Sequence, residues 1–179
     1  QYSEPLDMRF NPNVQQLTAT QVVNTWTKEQ LGEILKELGE EQFADSIADK
    51  ITQVRREKPI ITTDELVTVI ESTVPEWYKH RKIHPATKTF QALRMTVNNE
   101  LATIQKGLES AIEVLNPGGR LAVISFHGLE DKTVRKVFKE ATATGKITWV
   151  TKDTIKPKWE EVRSNPRSRS AKMKIAQKV

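Results

Sequence analysis

The chain has 179 residues, 28% of them charged and 37% hydrophobic, a balance expected of a soluble globular protein with one ordinary domain or two small ones. No apolar run approaches the roughly 20 residues needed to span a bilayer, and the lack of cysteine excludes disulfides, thiolate metal sites and cysteine nucleophiles and fits a reducing cytoplasm. The net charge of +5 sits in the tail: Thr151–Val179 carries nine Lys/Arg against three Asp/Glu, which leaves −1 for the rest and points to an anionic partner such as nucleic acid, with a merely solvated tail as the plain alternative.

Residues Gln1–Val14, with Pro5, Pro12 and Asn11-Pro12-Asn13, read as a connecting loop, and they show neither signal-peptide nor transit-peptide character. A short helix is expected near Thr18–Trp26. Thr27-Lys28-Glu29-Gln30 has the form of a capping box, followed by Leu31, Ile34, Leu35 and Leu38 at helical spacing and by Gly39 as a stop. Phe43, Ile47, Ile51 and Val54 mark the next helix, which ends before Pro59. Thr62 caps another, with Leu66, Val69, Ile70 and Val74 inside. These make a helical bundle over 15–81 whose acidic first half is a poor surface for gripping phosphates.

From Thr89 to Leu115 the apolar residues recur every three or four positions (Phe90, Leu93, Val97, Leu101, Ile104, Leu108, Ala111, Leu115), which predicts one long amphipathic helix. After the turn Asn116-Pro117-Gly118-Gly119, Leu121-Ala122-Val123-Ile124 is apolar on both faces, as in a central parallel strand covered by helices on each side. Val134, Val137, Phe138 and Ala141 give the following helix its buried stripe, and Ile147–Val150 is a further strand. Ala171-Lys172-Met173-Lys174-Ile175 alternates apolar and basic, as a half-exposed strand at a sheet edge does. So few strands need neighbours, so this half is expected to close a larger α/β sheet.

None of the seven glycines forms a G-x-G loop after a first strand, so no dinucleotide or S-adenosylmethionine cradle is expected here. His80 and His84 are four apart, but Pro75 and Pro85 disfavour a regular helix and no cysteine completes a site, so no metal is expected. Of Trp26, Trp77, Trp149 and Trp159, only Trp159, amid basic residues, is a candidate for base stacking.

Leu115-Asn116-Pro117-Gly118-Gly119-Arg120-Leu121 resembles the turn before the fifth strand of Rossmann-like, S-adenosylmethionine-dependent methyltransferases. Four further segments resemble the signature blocks of one family. They are Pro5-Leu6-Asp7-Met8-Arg9; His84-Pro85-Ala86-Thr87 with Thr89-Phe90-Gln91-Ala92-Leu93-Arg94; Ser125-Phe126-His127 with Leu129-Glu130-Asp131; and Asn165 through Lys172. On these blocks, which run in family order from end to end, the chain is identified as a member of the MraW family, bacterial methyltransferases of small-subunit ribosomal RNA acting on cytosine N4. Gly128 stands where the family usually has Ser, and Lys88 where it often has Arg.

The resemblance implies an α/β fold, the closing part of a Rossmann-like class I methyltransferase sheet (85–179) plus an inserted all-α helical domain (15–84) and a preceding loop (1–14). In the family the cofactor loop precedes the Pro5–Arg9 block, so the chain is expected to be a C-terminal fragment lacking the cofactor-binding half and inactive alone. The parent would use S-adenosyl-L-methionine and methylate a cytidine in the decoding region, in the cytoplasm, with ribosomal RNA or the small subunit as partner and no membrane association. An exposed sheet edge would allow a homodimer.

Methylating an exocyclic amine requires aligning a delocalised lone pair and removing a proton, with the base unstacked and held. Ser125, His127 and Asp7 are the catalytic candidates; no cofactor-binding residue is assigned. Phe126, Arg94, Asn165, Arg167, Arg169 and Lys172 are the RNA-binding candidates. Phe126 packing in the core, His127 bonding locally and Asp7 pairing with Arg9 are the structural alternatives. A non-enzymatic RNA-binding protein, or a helical adaptor binding protein through the acidic face, are the other functional readings.

Overall fold

A computed structural model describes residues 3–151 and 153–179. They fall into two compact units, divided after Asn99.

The first unit is helical: α1 (Ala19–Thr25), α2 (Lys28–Glu37), α3 (Ala44–Glu57), α4 (Thr63–Thr73), α5 (Glu76–Lys79) and α6 (Thr87–Val97). Capping boxes start three of these helices, pairing Thr18 with Gln21, Thr27 with Gln30 and Thr62 with Glu65, so orphan N–H groups at both sides of each cap are satisfied reciprocally. The apolar stripes meet in one core of Leu6, Val22, Leu31, Leu35, Ile47, Ile51, Leu66, Ile70 and Leu93, all at most 1% exposed. Each such side chain contributes about 1.5–3 kcal/mol by leaving water.

Two details depart from the expected pattern. After α2 the left-handed residue is Glu40 (φ 49°), not Gly39. Gly39 serves close approach instead: a Cβ there would stand 2.6 Å from the Leu35 carbonyl oxygen and 2.8 Å from that of Lys88 on α6. The expected continuous helix over 89–115 is interrupted. α6 ends at Val97, Asn99 takes φ 48°, and a new helix starts at Glu100. At the break the Asn98 amide donates back to the Arg94 carbonyl of α6 (2.8 Å) and ties the loop to the helix end, donating to the Met8 carbonyl (2.9 Å) and accepting from the Phe10 N–H and the Gln15 side chain (both 2.8 Å). Ala92, Leu93 and Val97 belong to the first core, and the compact unit runs to Asn99.

The second unit contains α7 (Glu100–Val114), β1 (Arg120–Ser125), α8 (Gly128–Ala143), β2 (Ile147–Trp149), α9 (Trp159–Ser164), a 3-10 turn η1 (Pro166–Ser170) and β3 (Lys172–Lys178). The sheet order is β1-β3-β2, antiparallel throughout, with Leu121 opposite Ala176, Val123 opposite Lys174 and Ser125 opposite Lys172. Its core joins Leu108 and Ile112 of α7 to Val134, Val137, Phe138 and Ala141 of α8 and to Ile147 and Ala176 of the sheet.

The sheet bears on two strand assignments. β1 pairs antiparallel with β3 and has no neighbour on its other side among the described residues; Leu121 and Val123 turn towards the core, while Ala122 and Ile124 are exposed. An apolar run on both faces promises two covers, and among the described residues only one face of β1 is covered, by α8. β3 is the central strand, not the edge. Its alternation is inverted, with Lys174 and Ala176 buried while Met173 and Ile175 are only half-buried. Among the described residues no helix is long and apolar enough to cross a membrane.

Candidate functional site

In the first unit, the loop before α1 is fixed by its backbone. Leu6 is fully buried and donates to the Ile61 carbonyl at 3.0 Å, while the N–H groups of Ala19 and Thr20 reach back to the carbonyls of Asp7 and Leu6. Arg9 grips Asp7 bidentately, Nε to Oδ1 at 2.7 Å and Nη2 to Oδ2 at 2.8 Å, and its Nη1 donates to the Gln15 carbonyl at 2.9 Å. The Arg9 hydrogen bond holds the Asp7 carboxyl below its ordinary range. With both oxygens engaged, the pair braces Met8, which sits at φ 66°.

Met8 then lines a cavity of about 450 Å³ together with His84, Phe90, Gln91 and Arg94. His84 Nδ1 accepts from the Ala86 N–H at 3.2 Å and Nε2 lies 3.4 Å from Glu71 Oε1, so the ring is clamped from both sides. Gln91 is held by a 2.8 Å bond to the Leu38 carbonyl. Two sequence blocks more than 70 positions apart thus converge on one hollow. Of its lining the sequence offers Arg94 as an RNA contact and His84 only as half of a His80–His84 pair. Met8, His84, Phe90 and Gln91 stand in the same blocks, but only the fold joins them. His80 lies 3.9 Å from Glu76 and does not share a partner with His84, and among the described residues no group of three or more His, Cys, Asp or Glu gathers as metal ligands do.

In the second unit, Ser125, Phe126 and His127 come at the carboxyl end of β1, where the strand turns into α8. Ser125 is buried, 3.4 Å from the carbonyl of Lys172 on the neighbouring strand. Phe126 is 55% exposed and so is not a core residue. His127 is the N-cap of α8, its Nδ1 accepting from the Leu129 N–H at 3.3 Å. The Glu130 carboxylate closes the turn by accepting from the N–H groups of Phe126 (2.9 Å) and His127 (3.1 Å). Since Nδ1 accepts, a neutral His127 carries its proton on Nε2 and presents a donor.

Beneath this turn, Asp131 and Lys174 form a buried ion pair, and the Arg135 Nε adds a 3.0 Å contact from the surface. Burial pushes the Asp131 carboxyl up, but the hydrogen bond and charge of Lys174, with Arg135 and Lys172 behind them, outweigh it and hold the group below its ordinary value. Sequence reading did not single out this pair; the alternation of β3 gave the wrong face for Lys174.

The basic segment leads straight into β3. Asn165 ends α9 and its carbonyl accepts from the N–H (2.9 Å) and hydroxyl (2.8 Å) of Ser168, which is buried. That tether turns Arg167 and Arg169, on either side, outward to solvent. Lys172, half-buried, stands opposite Ser125 in the sheet. Trp159 is 68% exposed with the Arg163 guanidinium 5.4 Å from its ring centre. Ser125, Phe126, His127 and Lys172 therefore gather at one end of this sheet, and the segment carrying Asn165, Arg167 and Arg169 enters there, whereas Asp7 and Arg94 belong to the first unit.

Comparison with known proteins agrees with the sequence blocks. The model of the MraW methylase family matches residues 1–179. Proteins named ribosomal RNA small subunit methyltransferase H are similar throughout. That of Persephonella marina is 46% identical over 179 residues, all of this chain and 61% of the relative. That of Elusimicrobium minutum is 46% identical over 98% of the chain and 58% of the relative, and that of Coprothermobacter proteolyticus is 47% identical over 97% and 57%. The chain spans about 60% of the length of the curated relatives it matches. It belongs to the MraW methylase family.

Proposed function

We propose that the chain is part of an S-adenosylmethionine-dependent RNA methyltransferase that methylates N4 of a cytidine in the decoding region of small-subunit ribosomal RNA, in the cytoplasm. The observation that carries this reading is the gathering of Ser125, Phe126, His127 and Lys172 at the end of a sheet whose chain matches the family over its full length. The edge of β1 that has no partner among the described residues and the exposed Ala122 and Ile124 support the view that this sheet is the closing part of a larger Rossmann-like one, with the helical unit as an insertion. The same edge supports pairing between two copies.

S-adenosylmethionine supplies an electrophilic methyl group to such a reaction. The residues present do not form a cradle for it: the described strand-to-helix turn at Phe126-His127 has its N–H groups taken by Glu130, and the positive-φ glycines, Gly118 and Gly145, come before strands. The residues of this chain are therefore assigned to the RNA. Phe126 offers an exposed ring on which an unstacked base can lie. The Nε2–H of His127 donates to a base acceptor or a phosphate, which makes this histidine an orienting group rather than the acceptor of the amine proton. Asp7 acts as a loop brace through Arg9. Arg167 and Arg169 grip RNA phosphates, with Asn165 shaping their turn.

The test is direct. Titration calorimetry of the 179-residue chain with S-adenosylmethionine is expected to show no binding. The longer protein that carries it should convert cytidine to N4-methylcytidine in unmodified small-subunit RNA, read by nucleoside mass spectrometry. Specific cofactor binding by the chain, or methylation of a different atom, overturns the assignment.

A further inference from the structure

We propose that the α5–α6 corner of the helical unit is a second RNA contact, a subsite for a phosphodiester group built from Arg81, Lys82 and Lys88 beside the exposed ring of Trp77. It rests on the RNA reading above and adds a surface that reading does not use. From Glu76 to Lys88 the sequence has four Lys/Arg and a single acidic residue, in a unit that is otherwise acidic (12 basic against 14 acidic residues over 1–99).

The local partners decide which of these charges are available. Lys79 is taken by Glu76 at 2.6 Å, His80 faces the same carboxylate, and His84 faces Glu71. Arg81 and Lys82 are exposed and have no acidic partner among the described residues. Lys88 donates to the Glu40 carbonyl at 2.5 Å, which leaves the rest of its ammonium for a ligand. These three side chains, with Tyr78, Ile83 and His84, line a hollow of about 140 Å³, and no carboxylate lines it.

The corner is also pre-organised. The Arg81 guanidinium lies 5.1 Å from the centre of the Tyr78 ring, and that ring cannot swing because its buried hydroxyl donates to the Glu41 carboxylate, 2.9 and 2.8 Å from its two oxygens. Trp77 packs edge-on against Tyr78 at 5.7 Å yet stays 59% exposed, and Ile83, which lines the hollow with Tyr78, is 62% exposed. A guanidinium resting on a fixed ring, two further cations and an exposed indole within a dozen residues suit single-stranded RNA: cations follow the backbone and the aromatic carries a base.

Fluorescence anisotropy of a labelled, mixed-sequence single-stranded RNA against the full 179-residue chain, over a salt series, tests this. Arg81→Gln with Lys82→Gln should weaken binding several-fold and lower the slope of log affinity against log salt by about 1.4, since each single-strand phosphate contact contributes about 0.7. Lys82→Gln alone, fully at the surface, should give about half that change with unaltered circular dichroism. Trp77→Ala should weaken binding at least about fivefold with the slope unchanged. If the double variant binds with wild-type affinity and slope while Arg167→Ala with Arg169→Ala binds more weakly, the corner is not an RNA contact and the RNA reading stands. If the wild-type chain binds no RNA, both fall. Inorganic phosphate bound at the corner, seen as ³¹P line broadening lost in the double variant, with RNA affinity unchanged, assigns a free-phosphate site and likewise overturns the proposal.

Discussion

Asn98 shows how one side chain can override a periodic pattern. The apolar spacing runs through it unbroken, so nothing in the stripe from Phe90 to Leu115 marks a stop. Its amide, 8% exposed, makes three bonds that hold the segment Met8–Gln15 against the end of α6 and a fourth back to the Arg94 carbonyl. Removing it strands two backbone groups, the Phe10 N–H and the Met8 carbonyl, along with the Gln15 amide. Asn98→Ala should therefore cost about 1–3 kcal/mol, seen as a fall of roughly 4–8 °C in midpoint per kcal/mol for a unit of this size. A loss below about 0.5 kcal/mol in chemical denaturation would show that the segment finds other partners. The left-handed Asn99 that follows is of a residue type that tolerates this conformation, the one local hint of a break.

At the scale of elements, sequence reading is accurate where the determinant is local and fails where it is not. Thr27 and Thr62 start their helices as capping boxes because the bonds span three residues. Strand order is a long-range property, and β3, last in the chain, inserts between β1 and β2. Its lysines misled because alternation gives two faces but not which of them turns inward; the partner that draws Lys174 inside, Asp131, is 43 residues away. The site was legible to the same extent. Ser125-Phe126-His127 is contiguous and its position at a strand end could be read, whereas the cavity of Met8, His84 and Phe90 needs the loop and α6 brought together. The buried pair ties α8 to β3, which gives a prediction in two parts. Lys174→Met leaves Asp131 buried with only the surface contact of Arg135 and the more distant charge of Lys172, and should destabilise the second unit by about 3–5 kcal/mol. Asp131, depressed below its reference value of 3.8, contributes stability that is fully present above that value and lost as pH falls through the lower folded one. Wild-type fluorescence of Trp149, which packs on Phe138 at 5.3 Å, should thus show an unfolding midpoint that drops below about pH 4, and Asp131→Asn should flatten that drop. An acid dependence identical in Asp131→Asn would place the titrating group elsewhere.

Over the whole molecule the two units differ in charge as they do in architecture. Residues 1–99 carry 12 basic and 14 acidic side chains, a net −2, and residues 100–179 carry 16 and 9, a net +7. Their cores share no residue. An RNA strand is therefore drawn chiefly to the second unit, where Arg167 and Arg169 flank the anchored Ser168 and no carboxylate is bonded to either among the described residues. Because both guanidiniums point outward and support nothing, Arg167→Ala with Arg169→Ala should leave the unfolding midpoint unchanged. It should weaken RNA binding several-fold and reduce the salt slope by about 1.4, two single-strand phosphate contacts. Anisotropy titrations at a series of salt concentrations read the affinity and the slope together. Charge alone predicts that the loss fades as salt rises; a loss independent of salt would mean that the arginines read bases rather than backbone. An unchanged affinity would leave the turn at Asn165 a structural lead-in to β3, and the +7 surplus a solvated surface.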